Sequence, residues 1–299
     1  MKIPQRLIKG DLIYLVSPAK RIDSEIVNYA RETLEEQGFQ VEVSPHCTGS
    51  HHYFSGTDQE RTSDFQQALD REDVRAILCA RGGYGSIRII DNLDWKSFLE
   101  HPKWIVGFSD ITVFHHVLQS LGVQSIHATM PLNFKENSEA SLKTLCSSLT
   151  GDLQQVEGAT YEKNILGTAN GRLVGGNLSI LYSLLGTAYC YDFSNKIVFI
   201  EDLCEQYYHI DRMLISMEKK GVFNEISGLI VGGMTELQDS EFSMGMDLYD
   251  LVLEKTRKHD IPVCFNFPCG HIADNRAMVI GAEVNLKVSD NNVDLFYID

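Results

Sequence analysis

Ser109, Glu201 and His271 are residues of the types that together carry out nucleophilic acyl transfer. A serine hydroxyl is a weak nucleophile near neutral pH until an imidazole takes its proton. The imidazole in turn needs a carboxylate to fix its tautomer and stabilise its cationic form. Each residue sits at or just past an apolar run: Ser109 follows "WIVGF", Glu201 ends "KIVFIE", and His271 lies four residues beyond "VCFNF". Such runs read as buried strands, and in open parallel sheets ligands bind beyond the carboxyl ends of strands. The chain order Ser, acid, His is one of several that build a triad, because geometry rather than position defines it.

The serine lies in "WIVGFSDIT" (Trp104 to Thr112), where a strand turns directly into helix-forming sequence. Ser109 and Asp110 are ordinary N-cap residues there. The same tight turn would also hold a serine clear of the sheet, beside the N–H groups of a helix start. A G-x-S-x-G elbow is absent, since Asp110 and Ile111 follow the serine. A second strand end carries "ARGGYG" (Ala80 to Gly85), whose glycines suit either a tight βα turn or a nest of backbone N–H groups for an oxyanion. No G-K-[ST] follows it, and G-G-x-G is not the dinucleotide fingerprint. His51-His52 and His115-His116 lack metal-ligand spacing and read as surface or satisfied core residues. Asp110 reads as an N-cap, and Glu205 as a solvated carboxylate.

Parallel strands separated by helices must position these groups. In the first half "LIYLVSPA", "FQVEVS", "VRAILCA" and "WIVGF" alternate with helical segments, among them "SEIVNYARETLEEQGF" with Ile26, Ala30, Thr33 and Leu34 on its apolar side. That alternation predicts an α/β fold with a parallel sheet covered on both faces. The pattern loosens from 138 to 173, where Gly151, Gly158, Gly167 and Gly171 suggest a linker between domains at 1–137 and 174–299. The second half resumes with "GGNLSILYSLLG" as a helix, "KIVFIED" as a strand, "IDRMLISMEKKG" as a helix, then "GLIVGG" and "IPVCFNF" as strands. It closes on a hairpin around Asp290-Asn291-Asn292.

Composition narrows the class. At 43% hydrophobic and 22% charged, the 299 residues describe an ordinary globular chain. A net charge of −15 argues against a nucleic-acid partner, since phosphate binding needs clustered Lys and Arg. No stretch approaches a membrane span, and the short run Leu12–Val16 is not a signal sequence, so a cytoplasmic location is expected. Seven scattered cysteines without a C-x-x-C pair suggest neither disulfide framework nor zinc site.

Taken in order, "VSPA", "ARGGYGSIRIID", "VGFSDIT", "GGNLSILYSLLGT", "FIEDLCEQYYHIDRML" and "FPCGH" resemble the bacterial serine-type LD-carboxypeptidases, relatives of the microcin C immunity peptidase. The resemblance spans nearly the whole chain. It implies a flavodoxin-like N-terminal α/β domain and a smaller, β-rich C-terminal α/β domain. By position it implies Ser109 as nucleophile, Glu201 as acid and His271 as base, with the backbone N–H groups of Gly83 and Asp110 as oxyanion hole. It implies a homodimer with no metal or cofactor. The implied reaction releases terminal D-alanine from murein tetrapeptide during cell-wall recycling. The alternative is an amidase on peptidyl or aminoacyl nucleotides, and a third reading is a non-catalytic small-ligand binding protein. The sequence departs from the family pattern at "HATMP" (His127 to Pro131), Tyr207 and Ile272, which bears on substrate fit.

Overall fold

Strand and helix alternate through the first half of the chain as the sequence pattern requires. The computed structural model describes residues 1–298. Strands β1 (Leu12–Val16), β2 (Gln40–Val43), β3 (Val74–Cys79), β4 (Trp104–Val106) and β5 (Ser125–His127) are joined by α1 (Ser24–Glu36), α2 (Asp58–Asp70), the short α3 (Ser86–Ile89) and α4 (Lys96–Glu100), and α5 (Thr112–Leu121). After α6 (Glu139–Thr150) come β6 (Gln155–Ala159), β7 (Gly167–Asn177), α7 (Leu178–Leu184), β8 (Lys196–Leu203), α8 (Tyr207–Lys220), α9 (Val222–Glu225) and β9 (Gly228–Thr235). Then follow α10 (Leu248–Thr256), β10 (Val263–Cys264), β11 (Met278–Ile280), β12 (Glu283–Val288) and β13 (Asn292–Tyr297).

The chain divides into two compact units. The first is Met1–Leu153 with Arg276–Val279; the second is Gln154–Asn275 and the chain from Ile280 onward. In the first unit the sheet order is β2-β1-β3-β4-β5, with β11 beyond β5. The pairs β1/β2, β1/β3, β3/β4 and β4/β5 are all parallel. This 2-1-3-4-5 order is the flavodoxin-like one, and its switch point lies between β1 and β3. Helix α1 buries Val27, Ala30 and Leu34, so its apolar face is one residue round from the expected Ile26. Helix α5 is buried along most of its length and stops at Gly122, whose φ of 73° suits a glycine C-cap.

The second unit holds a seven-stranded sheet, β10-β9-β8-β7-β12-β13-β6. Its β7 to β10 half is parallel and its β12, β13 and β6 half antiparallel. The expected terminal hairpin is present, with Val288 opposite Val293. Its core gathers apolar faces of α8 and α10 with β8 and β9: Ile210, Met213, Leu214, Leu251 and Val252 pack with Val198, Ile200, Leu229 and Val231.

Two expectations are corrected. Residues 138–173 are not linker-like but contain α6, β6 and the first half of β7. Gly151 is the left-handed C-cap of α6, and two of the other glycines serve close approach: a Cβ on Gly158 would lie 2.8 Å from Phe267 Cδ2, and one on Gly171 2.6 Å from Asn195 O. "GGN" before the next helix is likewise strand, because a Cβ on Gly175 would fall 2.0 Å from Phe199 O on the neighbouring β8. A glycine retained for packing against a remote strand looks, in local sequence, like a loop glycine. In the run "IPVCFNF" only Val263–Cys264 pairs with the sheet.

Candidate active site

Each unit carries part of the predicted constellation. In the first, β4 ends at Val106 and the chain passes through Gly107 (φ 156°) into Ser109, whose φ is 64°. A non-glycine residue in the left-handed region costs roughly 1–2 kcal/mol. Such strain, on a strand followed at once by a 3₁₀ turn (Ser109–Ile111) and α5, is the geometry of a nucleophile elbow. Gly107 is required, since a Cβ there would sit 2.9 Å from Ile111 Cγ1. The second glycine of the usual elbow motif is replaced in space: a Cβ on Gly82, from the neighbouring turn after β3, would lie 3.1 Å from Ser109 Cβ and 3.3 Å from Asp110 N. The R-G-G turn therefore lies against the serine. Among the described residues neither the Gly83 nor the Asp110 backbone N–H donates to a protein acceptor. Gly83 has a φ of 103°, as the tight-turn reading of these glycines requires.

Asp110 does not cap its own helix, as the sequence suggested. Its buried carboxylate accepts from Ser86 N–H at 2.8 Å, at the start of α3, and burial raises its pKa above the usual carboxylate range. His115 is a satisfied core histidine. Its Nε2 lies 2.9 Å from Gly107 O and its Nδ1 2.8 Å from Ser125 Oγ. Burial pushes its pKa down to about 3, so the ring is neutral and can donate to one partner while accepting from the other. It thereby anchors the strand end from which the elbow springs.

Sequence reasoning missed Arg61. Its guanidinium, 1% exposed, reaches from α2 to the carbonyls of Pro18, Gly56 and Gly85 and to Asp58. It binds the loop after β1 to the glycine-rich turn after β3, the two loops at the switch point. A lone Arg among polar residues of an amphipathic helix carries no local sign of that role.

In the second unit, β8 delivers Glu201 fully buried, with Oε2 2.6 Å from His271 Nδ1. This short bond makes Nδ1 the donor and leaves Nε2 as the ring's acceptor. Burial by itself lowers the His271 pKa, but the charge and hydrogen bond of Glu201, then the charges of Asp202 and Glu236, outweigh it and hold the imidazole above its ordinary value. Glycines create the space. A Cβ on Gly270 (φ 94°) would fall 2.5 Å from Glu201 Cβ and 2.7 Å from its Oε2, and one on Gly233 would meet Ile272 Cγ2 at 2.6 Å. Gly233 N–H donates to Cys269 O at 2.8 Å, Thr235 Oγ1 to His271 O at 3.1 Å, and Gly270 N–H to buried Asn275 Oδ1 at 2.8 Å, which fixes the loop.

Asp202 accepts from Asn177 Nδ2, Ser179 N–H and Leu203 N–H at 2.8–2.9 Å; burial, then the neighbouring Glu201 charge, pushes its pKa up to about 6. Glu205 is paired with His209 Nδ1 at 2.9 Å. No helix among the described residues is long and apolar enough to cross a membrane.

A flavodoxin-like unit with a serine elbow, joined in sequence to a β-rich unit with a buried Glu–His pair, defines a serine hydrolase class that comparison with known proteins narrows. Residues 13–128 match the LD-carboxypeptidase N-terminal domain and residues 170–286 the LD-carboxypeptidase C-terminal domain. The chain belongs to the LD-carboxypeptidase family and is a serine-type carboxypeptidase. It is 31% identical to the probable murein peptide carboxypeptidase of Bacillus subtilis, over 96% of this chain and 92% of that one. The crystal structure of muramoyltetrapeptide carboxypeptidase from Oxalobacter formigenes superposes with a TM-score of 0.88 at 26% identity, covering 96% of this chain and 99% of that one. The microcin C7 self-immunity protein MccF of Escherichia coli is 25% identical over 88% of this chain and 86% of its own.

Proposed function

We propose that the enzyme releases terminal D-alanine from murein tetrapeptide, with Ser109 as nucleophile, His271 as general base and Glu201 as its orienting acid. The observation that carries the proposal is the 2.6 Å Glu201–His271 bond, which sets Nε2 as proton acceptor, together with the left-handed φ of Ser109. In this reading the Ser109 Oγ–H proton passes to His271 Nε2 as Oγ bonds to the carbonyl carbon before D-alanine. The Gly83 and Asp110 amides receive the oxyanion. Its collapse breaks the C–N bond, and His271 returns the proton to the departing amine. Water, deprotonated by the same imidazole, then cleaves the acyl-enzyme. Similarity to relatives described as murein carboxypeptidases supports this substrate. A cytoplasmic, homodimeric enzyme is part of the proposal.

The amidase alternative needs an aromatic platform for a nucleobase. Tyr161, the aromatic residue within 138–173, packs on Tyr249 with ring centroids 4.6 Å apart, which disfavours that use. The test offers purified enzyme both murein tetrapeptide and an aminoacyl sulfamoyl adenylate. D-Alanine release that is lost in Ser109→Ala, by about 10⁶ in kcat, is the expected result. Turnover of the adenylate alone would overturn the proposal.

A further inference from the structure

A carboxypeptidase must recognise a free carboxylate only three bonds from the carbonyl carbon it attacks, and a nearby cation is the simplest means. The loops after β1 and β3 flank the switch point of the first sheet, where doubly wound folds place ligands. From the β1 loop, Lys20 lies against the R-G-G turn: its N–H donates to Gly82 O at 3.3 Å, and a Cβ on Gly83 would meet Lys20 Cβ at 3.0 Å and Cδ at 3.3 Å. The same Cβ would meet Tyr53 OH at 3.0 Å, and the Lys20 ammonium lies 4.9 Å from the Tyr53 ring centroid.

Gly82, one residue earlier and ~3.8 Å away along the backbone, is the glycine that abuts Ser109 Cβ. Lysine stem, tyrosine hydroxyl, Gly83 amide and serine thus follow one another along one edge of one unit. Among the described residues the Lys20 ammonium has no carboxylate partner, whereas Arg61, Arg71, Arg88 and Lys163 all do. Arg81, the other cation at this turn, is tied to Arg21 O at 3.0 Å.

We propose that the Lys20 ammonium, with the Tyr53 hydroxyl beside it, binds the terminal carboxylate of the substrate and so makes this enzyme a carboxypeptidase rather than an endopeptidase. The proposal rests on the tetrapeptide reading above. An ammonium–carboxylate contact adjoining a phenol explains a cation parked on an aromatic face at a catalytic edge of a strongly acidic chain. It also predicts a specific failure when the substrate's charge is removed.

The experiment measures kcat/KM for wild type, Lys20→Met, Lys20→Arg and Tyr53→Phe on murein tetrapeptide and on the same peptide amidated at its C-terminal D-alanine. Wild type should prefer the free acid. K20M should lose about 10- to 100-fold on the acid, the range for losing a charged hydrogen bond, with little change on the amide. K20R should recover much of the preference, and Y53F should weaken it modestly. A K20M enzyme that still separates acid from amide as wild type does would overturn the proposal and leave the tetrapeptide reading intact. Wild-type enzyme inert toward both peptides would overturn that reading and the proposal with it.

Discussion

Replacing Glu201 with Gln should lower the rate and, at the same time, extend activity to more acidic pH. The carboxylate is fully buried and 2.6 Å from Nδ1, so it acts on the imidazolium at short range with little solvent screening. A hydrogen bond to a charged group is worth about 1.5–3 kcal/mol, a factor of about 10–150 in the proton affinity of the ring. In the proposed mechanism catalysis requires the neutral imidazole, so activity should fall as pH drops through the His271 pKa. Glu201, aided by Asp202 and Glu236, holds that pKa above the ordinary value.

The glutamine removes a charge, and the acid limb of the kcat/KM profile moves to lower pH. Asp202, next along the strand, is relieved of repulsion by the Glu201 charge, and its pKa also moves down from about 6. The charge it then carries offsets only part of the larger Glu201 effect on His271, so the acid limb still moves down. The plateau falls by about 10³–10⁴, because glutamine no longer stabilises the cation or enforces the tautomer. Folding responds in parallel. The wild-type pair contributes stability that is fully present below the unfolded imidazole pKa and is lost as pH rises through the higher folded value. In E201Q that dependence shrinks, which urea titrations across this range will show. An acid limb that stays in place or moves upward would refute the coupling of Glu201 to His271.

Two other substitutions probe the supporting backbone. Ser109→Gly should be inactive yet about 0.5–1 kcal/mol more stable than wild type by urea denaturation, since glycine adopts the left-handed φ of 64° without strain; a destabilised variant would show that no strain is held there. Gly270→Ala should push Glu201 aside, with a Cβ 2.5 Å from the Glu201 Cβ, costing about 1–3 kcal/mol of stability and at least ~10² in kcat/KM; wild-type kinetics would show that the loop yields without moving the acid.

The placement of Ser109 and Glu201 was legible locally because it depends on chain direction. A strand that ends in Gly-Phe-Ser-Asp must place its serine at the carboxyl edge of a parallel sheet, and "KIVFIE" must bring Glu201 along another such strand. What was not legible depends on approach between remote segments. The glycines at 158, 171 and 175 looked like linker or helix-start residues until Phe267, Asn195 and Phe199 were seen to fill the space a side chain would need. Asp110 looked like a cap for its own helix, but its carboxylate turns to Ser86. Arg61 gave no local sign of its buried role, which depends on the carbonyls of Pro18 and Gly85 in remote loops.

The sequence by itself determined the alternation of strand and helix, the acidic character, the strand-end position of Ser109 and the place of Glu201 on a buried strand, because periodicity and local turn chemistry act over a few residues. Tertiary structure alone decided that a glycine from the β3 turn abuts the serine, that Gly270 opens the space in which a buried carboxylate reaches an imidazole seventy residues away, and that Lys20 meets Tyr53 beside Gly83. Those outcomes rest on close packing and on the cost of leaving buried polar groups unpaired, and no window along the chain contains both partners.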